Sequence, residues 1–268
     1  DVVTWNVAHR DNSLMLKKYT QTNRMVHPSS LSAISWRGIK ALAWSEDQCL
    51  AVEKELVDCY DAGEWYGEVG TQVGKQLLGR AEVLESLGLD TSKKTAVIYS
   101  HIFWDATYFW GDDLFKDYEE WFLEAVRAAC ANDRVNWLVK IHPANLVKDK
   151  RDGHTGESVE ILALARLITK LPDHVHVILP EAALSTWSLL SAADYCLTVR
   201  GTVGIEAALL GKIVLTAGTG RYDRHGFTHD NDSREDYLAM VARIDTLDLP
   251  GENSQELASR YASGVFLH

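Results

Sequence analysis

Residues 196–220 read CLTVRGTVGIEAALLGKIVLTAGTG, and this stretch predicts a strand, a turn, a short helix and a second strand that runs into glycines. A strand, a helix and a strand in this order place two parallel strands side by side through a right-handed crossover. Two charged residues interrupt the apolar pattern. Arg200 ends the first strand, and Glu206 stands within the helix. Both are therefore candidates for a functional site.

The same alternation extends on both sides of this stretch. Each predicted strand is a near-continuous apolar run, which is typical of a strand that is covered on both faces. We therefore predict an α/β fold with a Rossmann-like, doubly wound parallel sheet. The predicted strands span 94–102, 135–143, 174–180, 194–199 and 212–218, and the predicted helices span 114–131, 156–171, 183–193, 203–211 and 233–244.

The first third of the chain shows a different pattern. Residues 1–30 are polar and have no strong strand run, so we expect them to be extended or irregular. Residues 29–60 carry apolar side chains at helical spacing, and residues 70–90 predict a further helix that ends at Gly88. We divide the chain into a mainly helical region over 1–92, a Rossmann-like domain over 93–250 and a C-terminal helix over 251–268.

Composition excludes several classes of function. The 268 residues have a formal net charge of −11, so the chain is a poor candidate for sequence-independent binding to nucleic acid. The four cysteines form no Cys-x-x-Cys pair, which disfavours a zinc ribbon or a redox pair and makes a reducing cytoplasm the simplest setting. No apolar run approaches the length of a membrane span.

Polar residues and glycines follow all five predicted strands. The carboxyl ends of parallel strands meet at one edge of a sheet, where doubly wound folds bind their ligands. Each residue alone fits a cap, a turn or a structural clamp, but five strands placing such residues at one edge favours a site. The predicted binding residues are His142, Pro143, Asn145, Glu181, Arg200, Gly201, Thr202, Glu206, Gly218, Thr219 and Gly220.

The chemistry of this edge suits an anion and a sugar. Gly201 and Thr202 open a helix, so free backbone N–H groups and the positive helix end lie at the edge of the sheet. Arg200 adds a planar guanidinium that matches phosphate, and Glu206 suits the hydroxyls of a ribose or sugar. A P-loop and a GxGxxG motif are both missing, which disfavours the corresponding nucleotide folds.

Three segments resemble the bacterial surface-carbohydrate and capsule polysaccharide biosynthesis proteins. These are SHIFWDATYFWGDDLF (100–115), KIHPAN (140–145) and VRGTVGIEAALLGKIVLTAGTGRY (199–222). The resemblance implies a GT-B glycosyltransferase-like fold whose C-terminal half holds an activated donor, often a CMP- or other nucleotide-linked sugar. It implies that His142 and Pro143 contact the nucleotide, that Arg200, Gly201 and Thr202 contact its phosphates, and that Glu206 contacts ribose or sugar hydroxyls.

The sequence departs from the family pattern in two places. Ile213 stands where the family usually has proline. Residues 1–92 do not read as the N-terminal Rossmann domain of a GT-B enzyme. We therefore expect either a fragment, in which residues 1–92 are a remnant of or linker from a missing domain, or an abbreviated fold.

The resemblance implies transfer of a sugar from a nucleotide donor to a glycan or lipid-linked acceptor. We expect a cytoplasmic protein, peripheral to the inner-membrane polysaccharide machinery, that uses the nucleotide sugar as substrate and needs no cofactor or metal. Asp105 and His101, on the loop after the first strand of the predicted sheet, are candidates for acid and base, although loop capping explains them equally well. The Asp-x-Asp at 230–232 precedes a capping box at Ser233 and Asp236, so we interpret it as a helix-entry loop.

Two alternative functions remain open from the residues. One is a nucleotide-sugar epimerase or hydrolase on the same fold, which would need a second set of carboxylates and no separate acceptor. The other is a non-catalytic nucleotide-binding module.

Overall fold

The computed structural model describes residues 1–9, 14–62, 72, 74–103, 110–144 and 156–267. An antiparallel hairpin comes first, and Val2 on its first strand pairs with Tyr19 on its second. Three helices then lead to the sheet. The elements of this N-terminal part are β1 (Val2–Val7), β2 (Leu14–Tyr19), α1 (Ala33–Ala41), α2 (Glu46–Ala62) and α3 (Arg80–Ser86).

The main sheet has six parallel strands in the described part of the chain, in the spatial order β5-β4-β3-β6-β7-β8. The chain proceeds outward from β3 to β5 and then returns to place β6 on the other side of β3. The strand order therefore reverses between β3 and β6, which is where doubly wound sheets leave room for a ligand. The strands are β3 (Thr95–Tyr99), β4 (Asn136–Lys140), β5 (Val175–Ile178), β6 (Tyr195–Thr198), β7 (Ile213–Thr216) and β8 (His229–Asp230).

Six further helices surround this sheet in the described part of the chain. A side chain caps the amino ends of four of them, and in each the Ser or Asp oxygen accepts a backbone N–H three residues on. The helices are α4 (Tyr118–Cys130), α5 (Val159–Leu167), α6 (Thr186–Ala192), α7 (Thr202–Leu209), α8 (Arg234–Ala242) and α9 (Ser254–Phe266), with a 3₁₀ turn at Ile244–Thr246.

The sheet carries a hydrophobic core on each face. Val97 and Tyr99 on β3 belong to a core built with α2, α3, α6, α7 and α9. Ala96 and Ile98, which point to the opposite face, belong to a core built with α4, α5 and α8. Because both faces are covered, strand residues of either parity must be apolar. The structure thus confirms the predicted doubly wound α/β fold.

The N-terminal part differs from the sequence prediction in two ways. The hairpin was not predicted, because its apolar side chains, such as Trp5 and Leu16, are exposed and give no buried face with a clear period. The helix expected over 70–90 begins only at Arg80. Gly79 is its N-cap and has an extended backbone conformation, so the helix does not extend to the residues before it. Its end at Gly88 is as predicted, with a left-handed φ of +63°.

Candidate functional site

A cleft of about 400 Å³ opens at the carboxyl edge of the sheet, where the strand order reverses. The sheet supplies one wall through the residues that follow β3, β4 and β6, and the N-terminal part supplies the other. The residues from the sheet that matter below are Tyr99, His101, Lys140, His142, Pro143, Arg200, Gly201, Thr202, Glu206 and Arg221, and those from the N-terminal part are His27, Ser29 and Tyr60.

Arg200 is the buried cation of the cleft. Its side chain is only 5% exposed, and Nη2 donates to the carboxylate of Asp113. Its Nε and Nη1 atoms have no hydrogen-bond partner among the described residues. Burial lowers the pKa of Arg200 to about 10, so the guanidinium remains charged at neutral pH. A buried charge with unpaired donors is costly unless an acceptor completes it, which marks this wall as a place for an anion.

Gly218 makes room for the pair of Arg200 and Asp113. A Cβ at this position would lie 2.7 Å from Asp113 Oδ1 and 2.8 Å from Arg200 Nη2. Contacts this short are not tolerated, so a larger residue would separate the two side chains. Gly218 therefore acts through packing, and it does not line the cleft.

Thr219 and Gly220, which were also predicted to bind the ligand, are not among the residues that line the cleft. Thr219 N–H donates to the Asp112 carbonyl at 2.9 Å, and its hydroxyl accepts the Asp112 N–H at 2.8 Å. The N–H of Gly220 donates to Asp223 Oδ1 at 2.6 Å. Thr219 therefore joins the loop after β7 to the loop that carries Asp112, whereas Gly220 forms a local turn with Asp223.

The amino end of α7 borders the cleft beside Arg200. Its N-cap is Gly201, which has no side chain to accept the first N–H groups of the helix. Thr202 and Val203 line the cleft at this point. The partial positive charge of the helix end therefore adds to the charge of Arg200, an arrangement that favours an anion such as phosphate.

Glu206 is buried at the cleft and accepts a hydrogen bond from the Tyr60 hydroxyl at 2.5 Å. Tyr60 belongs to α2, so this contact joins the N-terminal part to the sheet part. The nearby Tyr99 hydroxyl is buried and has no partner in the described part of the chain. Burial, followed by the charges of Cys196 and Glu206, raises the pKa of Tyr99 well above its usual value. Tyr99 thus offers a neutral O–H donor.

Residues at the end of β6 hold the His101 ring in place. Its Nε2 accepts the N–H of Val199 at 3.1 Å and lies 3.0 Å from the Thr198 hydroxyl oxygen. Burial, followed by the charges of His142 and Arg200, lowers the pKa of His101 well below its usual value. A neutral ring that accepts at Nε2 carries its proton on Nδ1, so the second nitrogen is a hydrogen-bond donor. This geometry fits a donor better than the predicted base.

His142 and His27 also accept a backbone N–H, but at Nδ1 instead of Nε2. His142 Nδ1 accepts the N–H of Ala144 at 3.2 Å, and His27 Nδ1 accepts the N–H of Ser29 at 3.1 Å. A ring whose Nδ1 accepts a hydrogen bond has a proton on Nε2. Burial and the charges of Arg221, Arg200 and Lys17 lower the pKa of His27 to about 2. The cleft thus combines fixed cations with neutral N–H donors, a set suited to an anionic ligand rich in hydroxyls.

The remaining predicted residues have mixed outcomes. Asp105 and Asn145 lie outside the described residues. Pro143 borders the cleft, whereas Glu181 is exposed and does not line it. The β5 strand that precedes Glu181 is at the edge of the sheet, far in strand order from the reversal point.

The Asp-x-Asp segment is only partly the predicted helix-entry loop, because Asp230 ends β8 and Asn231 and Asp232 lead into α8. Asp230 accepts from the hydroxyls of Thr216 and Thr228 at 2.8 and 2.7 Å, and Asp232 pairs with Arg224. Ser233 is the N-cap of α8, as predicted: its hydroxyl accepts the Asp236 N–H at 3.1 Å and donates to the Asp236 carboxylate at 2.6 Å.

Sequence reasoning missed several residues of the cleft. Lys140 is buried at the end of β4, and its position in the KIHP segment was a usable signal. Arg221 directly follows the quoted stretch and also lines the cleft. His27 and Tyr60 reach the cleft only through tertiary contacts, and nothing in their local sequence indicates this.

The fold and the cleft define a Rossmann-like α/β protein with an arginine-lined cleft at the reversal point of its sheet. Residues 82–258 match the family model described as capsule polysaccharide biosynthesis protein, and the chain belongs to this family. A comparison with curated proteins found no significant match. None of the described helices is long and apolar enough to span a membrane.

Solved structures of similar fold include two KpsC transferases of Thermosulfurimonas dismutans. The β-Kdo 2,4 transferase is 18% identical, with a TM-score of 0.47 over 92% of this chain and 64% of that chain. The β-Kdo 2,7 transferase is 16% identical, with a TM-score of 0.44 over 87% of this chain and 59% of that chain. A UDP co-structure of S. aureus MnaA is 14% identical, with a TM-score of 0.42 over 68% and 44%. The chain therefore spans less than two thirds of each of these proteins.

Proposed function

We propose that this chain binds the donor in a glycosyltransferase of capsule polysaccharide synthesis. The donor is a nucleotide-activated sugar, CMP- or NDP-linked, and the acceptor is a glycan or lipid-linked glycan. Arg200 carries the proposal, because its buried guanidinium keeps Nε and Nη1 unpaired at the cleft, beside the uncapped end of α7. Membership of the capsule polysaccharide biosynthesis family supports the biological setting.

The phosphate of the donor would lie between Arg200, Arg221 and the first turn of α7. Arg221 Nη1 donates to the Arg200 carbonyl at 3.0 Å, which fixes the second guanidinium at the cleft. Negative charge grows on the leaving nucleotide phosphate as the glycosidic bond breaks. Fixed cations and helix N–H groups stabilise that charge without reorganising, and this is the main catalytic contribution that we assign to the chain.

The sugar and ribose hydroxyls would meet the other polar groups. Glu206 supplies acceptor oxygens, while Tyr99, His27 and His142 supply neutral donors. Trp110 also lines the cleft and offers an aromatic face to a base or sugar ring. A cleft of about 400 Å³ falls within the usual range for small-molecule sites, about 300–1,000 Å³.

The acceptor hydroxyl must lose a proton during transfer. We assign His101 to binding of the nucleotide sugar, since its Nδ1 carries a proton and cannot accept one. We retain Asp105 as the candidate base. We also propose that the sheet is the donor half of a GT-B fold, that a further domain completes the acceptor site, and that the protein works in the cytoplasm at the inner-membrane machinery. The leaving phosphate is balanced by guanidinium groups, so the mechanism invokes no metal.

Isothermal titration with CMP, CDP and UDP tests the donor site. Replacing Arg200 by Gln should weaken binding of the preferred nucleotide by about 10- to 150-fold, the equivalent of about 1.5–3 kcal/mol for hydrogen bonds to a charged group. Arg224→Gln is the matched control, since Arg224 is 64% exposed and pairs with Asp232 away from the cleft. Equal affinity in Arg200→Gln and the wild type would exclude Arg200 from the site.

A transfer assay with radiolabelled nucleotide sugars separates the remaining functions. Label transferred to a capsule-type acceptor supports the glycosyltransferase. Conversion of the nucleotide sugar without an acceptor would instead indicate an epimerase or hydrolase. Nucleotide binding without any turnover, measured with the full-length protein, would indicate a binding module.

A further inference from the structure

A second cluster of potential ligands lies in the N-terminal part, outside the cleft. His9 Nε2 is 3.3 Å from Glu55 Oε1 and 3.4 Å from Cys59 Sγ, and all three atoms lie within 4.8 Å of one another. The His9 side chain is only 2% exposed, and that of Glu55 is 24% exposed. The mechanism proposed above uses none of these three residues.

The spacing of the cluster fits a tetrahedral metal ion. Zinc binds nitrogen and carboxylate oxygen at about 2.0–2.2 Å and thiolate sulfur at about 2.3 Å. At tetrahedral angles these lengths place N and O about 3.3 Å apart and N and S about 3.5 Å apart. The distances from His9 to Glu55 and to Cys59 match both values.

The fold brings the three ligands together from two elements. Glu55 and Cys59 are four residues apart on α2, so their side chains share one face of the helix. His9 follows β1 and packs against Phe266 of α9, with ring centroids 5.1 Å apart. A ligand set of one imidazole, one carboxylate and one thiolate suits Zn²⁺ better than Mg²⁺ or Ca²⁺, which prefer oxygen.

We propose that His9, Glu55 and Cys59 form a zinc site with three protein ligands, with water in the open fourth position. Binding releases the Cys59 proton and replaces the hydrogen bonds within the cluster by metal bonds. The ion fastens the segment after β1 to α2. Tyr60, the residue after Cys59, donates to Glu206 in the cleft, so the site also steadies that contact. This proposal is independent of the proposed transferase function.

Titration of the reduced, metal-free protein with Co²⁺ is the first test. The wild type should bind one equivalent and develop a near-ultraviolet thiolate-to-cobalt band, which Zn²⁺ then removes by displacement. Cys59→Ser should lose the band. Cys49→Ser should keep it, because Cys49 lies on the same helix but hydrogen-bonds to Ser259 at 3.1 Å. No saturable binding by the wild type, or a band that persists in Cys59→Ser, would overturn the site.

Thermal unfolding with and without Zn²⁺ gives a second readout that does not depend on the thiol band. The wild type and Glu53→Gln should gain stability with Zn²⁺, since an ion that binds only the folded state raises Tm. Glu53 is half-buried on the same helix, as Glu55 is, and lies outside the cluster. Glu55→Gln should bind Zn²⁺ at least about tenfold more weakly and show a smaller rise. Equal rises in Glu53→Gln and Glu55→Gln would mean that Glu55 only pairs with His9, and would contradict the proposal.

Discussion

The sheet part and the N-terminal part build opposite walls of one cleft by different means. The sheet wall consists of residues at the ends of fully buried strands. Arg200 is held there by its ion pair with Asp113 and by close packing against Gly218. The N-terminal part packs α2 and α3 into the core on one face of the sheet, and at the cleft it adds individual polar contacts. His27 N–H donates to the Gly220 carbonyl at 2.7 Å, and Tyr60 donates to Glu206. The sheet wall therefore holds the charged Arg200 in place by close packing and an ion pair. The N-terminal wall contributes His27 and Tyr60, each joined to the sheet part by a hydrogen bond.

The hairpin itself contributes little apolar burial, in contrast to α2 and α3, which pack into the core. Trp5 is 67% exposed and Leu16 is 70% exposed, whereas Lys17 on the same hairpin is buried. Lys17 Nζ donates to the carbonyl and hydroxyl of Ser30 at 2.7 and 2.9 Å. Burial lowers the pKa of Lys17 to about 8, because the charged ammonium loses contact with water. This cost offsets part of the stabilisation that the hydrogen bonds to Ser30 provide.

A pair of glycine substitutions should separate the two parts most strongly. A Cβ at Gly204 on α7 would overlap the Tyr222 hydroxyl and lie 2.8 Å from its Cζ, and Tyr222 donates to the Gly201 carbonyl at 2.7 Å. Gly204→Ala should therefore lower the free energy of unfolding by about 2–4 kcal/mol through overpacking and loss of this bond. Urea unfolding measures the change.

Gly38→Ala is the matched change in the N-terminal part. Gly38 lies within α1, and nothing stands within 4 Å of the position that its Cβ would take. Alanine should raise stability there by about 0.5–1 kcal/mol, because glycine costs that much inside a helix. If both variants lost similar stability, the contrast between the close packing around Gly204 and the open space around Gly38 would be wrong.

The same contrast explains what the sequence predicts. Three of the strands found by pattern, β3, β4 and β6, are buried at every position, and β7 is buried at all but its first. Each is therefore an apolar run that can be recognised locally. The edge strand β5 is half-buried at its two central residues. The sixth strand, β8, has only two residues and gives no pattern. Arg200, His142 and His101 were predicted to lie at the cleft because the carboxyl ends of parallel strands meet at one edge.

The errors come from contacts between distant parts of the chain. A glycine after a strand fits either a ligand site or a close approach of two backbones. Gly220 turns out to be the second case, since its Cβ would lie 2.8 Å from Gly111 Cα. His27 and Tyr60 reach the cleft across more than a hundred residues of sequence, and no local period records such a contact.

Removing one hydroxyl should test how firmly the two parts are joined. Tyr60→Phe deletes the donor to the buried Glu206 carboxylate, so we expect a loss of about 1–3 kcal/mol in the free energy of unfolding and weaker nucleotide binding. Tyr19→Phe is the control within the N-terminal part. It deletes a bond to the Val26 carbonyl, a neutral acceptor, and should cost about 0.5–1.5 kcal/mol without affecting nucleotide affinity. Equal effects on both measurements would show that Tyr60 does not join the walls.

The smallest expected effect is a change in the pH dependence of stability. The pKa of His27 is lowered in the folded protein to about 2, while in the unfolded chain it is near 6.5. Below about pH 6.5 the unfolded chain therefore takes up a proton that the folded protein does not, and stability falls as the pH falls. His101, whose pKa is also lowered, acts in the same direction. From pH 7 to pH 5, His27→Gln should reduce the slope of unfolding free energy by at most about 1.4 kcal/mol per pH unit. A slope identical to that of the wild type would mean that His27 is solvated and that the N-terminal wall does not close over Arg200 and Arg221.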